Sequence, residues 1–252
     1  MDSTTTPPAL PPEPMSLVGR LFNVFATPGD VFDSLRAGGW SAGNWVVPMI
    51  LAMVVAMGSV LVMFSQPALM QQIQQQQDKA FDDQVAKGKM SEKQADEIKG
   101  KMASVTKIVT PIFAAVGGCV GVFGTALVAW LVGRFVLRGE IEFTQALEVT
   151  GLATMISVLG GIVKTLLIVV KGTTFVSAGP ILLLSAPDMQ NLTHQMIAAL
   201  DVVTFWHFVV LGIGLAKLTG GSTVKATAVL YAVWLAFCGA GILFGRLMAG
   251  GF

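Results

Sequence analysis

Residues 45–65 read WVVPMILAMVVAMGSVLVMFS, without one charged side chain. A helix rises 1.5 Å per residue, so a run of about 20 apolar residues crosses a hydrocarbon core of about 30 Å. Working outward from this stretch, four more charge-poor runs follow, at roughly residues 109–137, 147–170, 201–218 and 224–248. The expected fold is therefore an all-α, polytopic membrane bundle of five transmembrane helices. The whole composition agrees: 252 residues, 54% hydrophobic and 12% charged, with a mean hydropathy of +0.71. That is lipid-soluble protein, not a water-soluble globule.

Three segments flank or interrupt the spans. Residues 1–14 are rich in Thr and Pro, lack the basic start and apolar core of a signal peptide, and read as a disordered tail. Residues 15–44 contain two short amphipathic pieces. The first carries Leu17, Leu21, Val24 and Phe25 at helical spacing, and the second carries Val31, Phe32 and Leu35 after a Thr27-Pro28-Gly29-Asp30 step suited to starting a helix. Each is too short to span, so both are expected to lie in the headgroup layer with Trp40 and Trp45 as anchors. The transmembrane domain, 45–248, is interrupted at 67–107 by a glutamine run and alternating charges. The Gly88-Lys89-Met90-Ser91 break comes before Glu92-Lys93-Gln94, and Ser91 with Gln94 fits a capping box, so the segment reads as a polar helical hairpin outside the bilayer. Residues 175–186 form an apolar piece broken by Pro180, too short to cross and read as interfacial or re-entrant.

Small residues recur four apart at Gly117 and Gly121, at Ala153, Ser157 and Gly161, at Gly212, Ala216 and Gly220, and at Gly241, Gly245 and Ala249. Such rows let backbones approach, either within one bundle or between two copies, and a homo-oligomer stays open. Lys164 lies inside the third span, where an ionisable group marks a functional position or snorkels to the interface. Asp201, Trp206 and His207 open the fourth span and Arg134 closes the second, the remaining polar candidates near the membrane. His194 falls in the connection before them, outside any expected helix. No catalytic pair, nucleophile with its base, phosphate loop or metal-ligand spacing emerges, so no enzyme and no cofactor are expected. A net charge of +1 without a basic run excludes nucleic acid as a partner. The expected partners are the lipid bilayer and a protein meeting the polar hairpin. Lys/Arg positions at the span ends leave orientation open.

Two stretches resemble the Yip family, the Rab/Ypt-interacting five-span membrane proteins, in its bacterial form. They are Arg20-Leu21-x-x-Val24-Phe25-x-x-Pro28-x-x-Val31-Phe32-x-x-Leu35-Arg36 and Asp201-Val-Val-Thr-Phe205-Trp206-x-x-x-x-Leu211-x-x-Gly214-Leu215. The hairpin around Lys89 to Gln94 is similar to that of bacterial members. The resemblance implies a cytoplasmic N-terminus, a C-terminus on the opposite face and residence in a bacterial inner membrane. Eukaryotic relatives bind prenylated GTPases in vesicle traffic, and their Asp-Leu-Tyr-Gly-Pro signature has no match in this chain. A membrane scaffold or adaptor is the leading functional expectation, with a small transporter or channel using Lys164 as the alternative.

Overall fold

The structure, a computed structural model, describes residues 15–38, 40–188 and 190–249, with the side chains of 102–104, 248 and 249 left out. The expected tail at 1–14 lies outside the described residues. Among those described, the elements are helical: α1 (Leu17–Asn23), α2 (Pro28–Gly38), α3 (Gly43–Phe64), α4 (Pro67–Ala86), α5 (Glu92–Leu131), α6 (Phe143–Lys171), α7 (Leu192–Ala199), α8 (Val202–Thr219) and α9 (Thr223–Ala249). A π-helical turn, Val132–Val136, extends α5, and a 3-10 turn, Pro180–Leu183, precedes α7. Five helical stretches are long and apolar enough to cross a membrane: Gly43–Phe64, Val105–Val136, Phe143–Lys171, Val202–Thr219 and Thr223–Leu247. Five crossings place α1 and α2 on one face, and the α4–α5 hairpin, α7 and the C-terminal end of α9 on the other.

Span α6 is the hub, packing against α3, α5 and α8, while α9 leans on α8. Its central position follows from its small residues. A Cβ at Gly151 would overlap the Cα of Trp45 on α3, so only glycine lets these two backbones meet there. A Cβ at Gly214 on α8 would overlap Val149 and crowd the Phe32 ring. That gap seats α2, whose Val31, Phe32 and Leu35 are completely buried in the same core as Leu152, Leu211 and Leu215. Burying one such side chain is worth about 2 kcal/mol.

The N-terminal pair differs here from the sequence expectation. The apolar face of α2 meets protein, not headgroups, and only Val18 and Phe22 of α1 point outward among its large apolar side chains. Phe25, in the α1–α2 connection, packs edge-on against Trp206 at 6.0 Å, while Asp33 pairs with Lys217 near the other end of α8. Helix α2 therefore runs along α8, while α1 packs on α3 and α6, and the pair forms a wedge. Trp40 is exposed, and Trp45 packs on Phe123 of α5.

The polar hairpin forms as its composition requires. Gly88, at φ +67, makes the left-handed turn that a side chain resists. Ser91 and Gln94 then close both halves of a capping box at the start of α5. From there α5 runs 40 residues without interruption, out of the hairpin and through the second span. Lys99 lies between Asp82 (3.2 Å) and Asp78 (3.5 Å) of the opposing arm, and its hydrogen bond to Asp82 raises its pKa. At the base, Leu69 is buried against Ile168 and Val176. His194, expected in a loop, belongs to α7, which Asn191 caps by accepting from the Thr193 and His194 amides.

Candidate functional site

Two polar places lie within the bundle. The first is buried where α1, α2, α3 and α6 meet. Arg20 sits on the inner face of α1, and its guanidinium donates to Ser34 Oγ (3.2 Å), to the Ser34 carbonyl (3.1 Å) and to Asn44 Oδ1 (3.3 Å). Asn44 in turn donates to Glu148 Oε2 at 2.7 Å. The Glu148 carboxylate also accepts the Ser41 amide at 3.0 and 3.1 Å. Arg20, Ser34, Asn44 and Glu148 are all at least 95% buried. Burial lowers the pKa of Arg20, and the nearby Glu148 charge offsets part of that effect. With its acceptors and donors matched, this chain of polar groups fastens the N-terminal wedge to the first and third spans. Sequence reading passed over Glu148, although an acidic residue inside the third apolar run was a signal that could have found it. Its partners lie 104 and 107 residues away, and no spacing rule joins them to it.

The second place is a half-open cleft of about 280 Å³ on the hairpin side of the molecule, between α6, the 175–183 segment and the first turn of α8, with α9 along its edge. It gathers Lys164 and Asp201 with Ser157, Ser177, Thr204 and Trp234. Asp201 caps α8 by accepting the Thr204 amide at 2.9 Å through Oδ1. Its Oδ2 accepts the Ala178 amide at 2.8 Å, and the Val202 amide returns a bond to the Ala178 carbonyl at 2.9 Å. This two-way strap fixes one wall. Lys164 is exposed at the mouth and forms no ion pair or hydrogen bond among the described residues. His207 is buried one turn deeper, with Nδ1 donating to the Ala153 carbonyl at 3.0 Å and lying 3.1 Å from Ser157 Oγ.

The remaining sequence candidates are scattered. Trp206 turns away from the cleft toward Phe25. Arg134, on the far face, is exposed beside the Trp130 ring at 6.0 Å. Gly117, Gly121, Gly241 and Gly245 are exposed, and a Cβ at any of them would meet nothing within 4 Å. No group of three or more His, Cys, Asp or Glu that could hold a metal occurs among the described residues.

A family model described as the Yip1 domain matches residues 22–245, nearly the whole chain. The chain belongs to the Yip1-domain family. The match takes in the wedge from Phe22 onward, the hairpin and nearly all of the five spans, so the Yip1 domain of this chain is a multi-pass membrane unit that contains the cleft and, apart from Arg20, the buried polar chain. Comparison with curated proteins and with solved structures gave no match.

Proposed function

We propose that this Yip1-domain protein is a non-enzymatic scaffold or adaptor of a bacterial inner membrane, with a cytoplasmic N-terminus and a hairpin that meets a protein partner on the opposite face. The observation carrying this reading is the continuity of α5, which joins a charged, solvent-exposed arm to a membrane span without a break. A rigid arm on a bundle whose N-terminal wedge is tied down by Arg20 and Glu148 suits presentation of a docking surface. Photo-reactive side chains placed at Gln84 and Asp96, both exposed on the arm, test it in native membranes. The expected result is one shared cross-linked protein from both positions. An arm that cross-links to nothing, together with unchanged cell behaviour when 67–104 is replaced by a flexible linker, sinks the adaptor reading. Orientation is tested separately: a cysteine at Gln84 should react with a membrane-impermeant thiol reagent from the periplasmic side alone.

The second reading, a small transporter or channel, is favoured by one observation: Lys164 borders a cleft that also holds Asp201 and Ser177. Unchanged flux in reconstituted vesicles after Lys164→Met removes the reason to hold it.

A further inference from the structure

Ser177 is 95% buried, lines the Lys164 cleft, and its hydroxyl finds no hydrogen-bond partner among the described residues. A buried hydroxyl left unpaired is unfavourable by about 1–3 kcal/mol, so something polar is expected to enter the cleft and meet it. The neighbouring groups define what that is. Lys164 brings an uncommitted cation. Asp201 brings a carboxylate held in place by one backbone amide on each oxygen, which leaves a lone pair on each. Lys164 and Asp201 are not within ion-pairing distance of each other, so each charge stays available to a ligand. A simple anion would meet Asp201 unfavourably, and a simple cation would meet Lys164. A ligand carrying both charges, close together, satisfies both.

The position selects the source. The cleft is lined on α6 by residues from Ser157, near mid-span, to Lys164, two turns before Lys171, and on α8 by its first turn, so its outer end lies at the ends of two spans on the same face. Lys164 lies seven residues, about 10 Å, inside the end of α6, a depth at which a lysine stem brings its ammonium to the phosphate level of a bilayer. The wall opposite is closed by packing, since a Cβ at Gly160 would press on Val203 at 2.6 Å.

We propose that this cleft binds the headgroup of an amine-bearing phospholipid, its phosphate taken by Lys164 and the Ser177 hydroxyl and its primary ammonium by Asp201. Charge-assisted hydrogen bonds on both charges would distinguish a phosphoethanolamine headgroup from one whose nitrogen is methylated and cannot donate. The site is independent of the hairpin, so the adaptor reading and this assignment stand or fall separately.

Native mass spectrometry of the full chain, released from nanodiscs containing equal phosphatidylethanolamine, phosphatidylcholine and phosphatidylglycerol, tests it. The expected result is preferential retention of phosphatidylethanolamine by about tenfold, the size of one hydrogen bond to a charged group. Lys164→Met and Ser177→Ala should each sharply reduce the amount of phosphatidylethanolamine retained, since both remove a contact to its phosphate, while Asp201→Asn should remove the preference. Ser177→Ala removes only an unpartnered hydroxyl and leaves the Ala178–Asp201 strap in place, so it gives an answer even where Lys164→Met fails to fold. Equal retention of the three lipids overturns the proposal, as does undiminished retention of phosphatidylethanolamine by Ser177→Ala. Displacement of the bound lipid by millimolar inorganic phosphate, with free phosphoethanolamine no more effective, would assign the cleft to soluble phosphate instead and also overturn it.

Discussion

Spans α6 and α8 and spans α3 and α9 are all apolar enough to cross, with mean hydropathies from 1.7 to 2.5, yet they live in different surroundings. A third of the best window of α6 and 44% of that of α8 are buried inside the protein, against 6% for α3 and for α9. The glycines divide the same way. Gly151 and Gly214 sit where another backbone or a ring occupies the space a side chain would need, whereas Gly117, Gly121, Gly241 and Gly245 face open space. The four-residue rows split likewise: a Cβ at Gly212 would overlap Thr227, and Ala153 and Ala216 are buried, while the rows at Gly117–Gly121 and Gly241–Gly245 face open space. Within the membrane there is no water to expel, so helices hold together where shape and buried polar pairing allow close contact, and elsewhere they remain lipid-facing surface.

Mutations at the tight centre should separate from mutations at the open edge. The largest loss is expected from Glu148→Ala, which leaves the Ser41 amide and the Asn44 side chain short of their acceptor in a buried place and the buried Arg20 without its nearby opposite charge. A destabilisation of about 3 kcal/mol is expected, read as a lower midpoint of thermal unfolding in mild detergent, and an unchanged midpoint would mean that the wedge is held by apolar contacts alone. Gly151→Ala comes next, at about 2 kcal/mol from overlap with Trp45. Stability equal to that of the wild type would show that α3 and α6 slide apart freely. Ser91→Ala should reduce stability of the hairpin arm by about 1 kcal/mol through loss of the capping box. Hydrogen exchange should report that loss in the first turn of α5 and nowhere in the core. Smallest of all, Gly117→Ala and Gly241→Ala should change monomer stability by no more than about 0.5 kcal/mol. If these faces meet a second copy of the chain, the same substitutions should instead lower the yield of cross-linked dimer in membranes, a result that would redraw the open edge as an interface.

The sequence carried the spans because their signal is local: a run long enough to cross, bounded by charge, needs no knowledge of neighbours. The Ser91–Gln94 capping box was legible for the same reason, being complete within four residues. The Asp201 cap belongs with it, although the second half of its role, accepting the Ala178 amide, joins residues 23 apart. What stayed hidden depends on tertiary contact. Nothing in the spacing of residues 15–36 says whether an apolar face will meet headgroups or the gap left by Gly214. Glu148 was readable as an ionisable group in an apolar run, but its pairing with Asn44 and, through it, Arg20 could not be. Lys164 was readable as a residue needing explanation, and only the fold puts Ser177 and Asp201 beside it.

The unbroken α5 has a mechanical consequence. Forty residues make a rod of about 60 Å, roughly twice the hydrocarbon thickness. The 27 residues from Val105 onward are the long, held end of a lever and the 13 before them the free end. A tilt of about 5°, as bilayer thickness changes, would move the tip of that free end by about 2 Å. Pro111, set where the rod enters the membrane, breaks one rung of its hydrogen bonding and is the natural fulcrum.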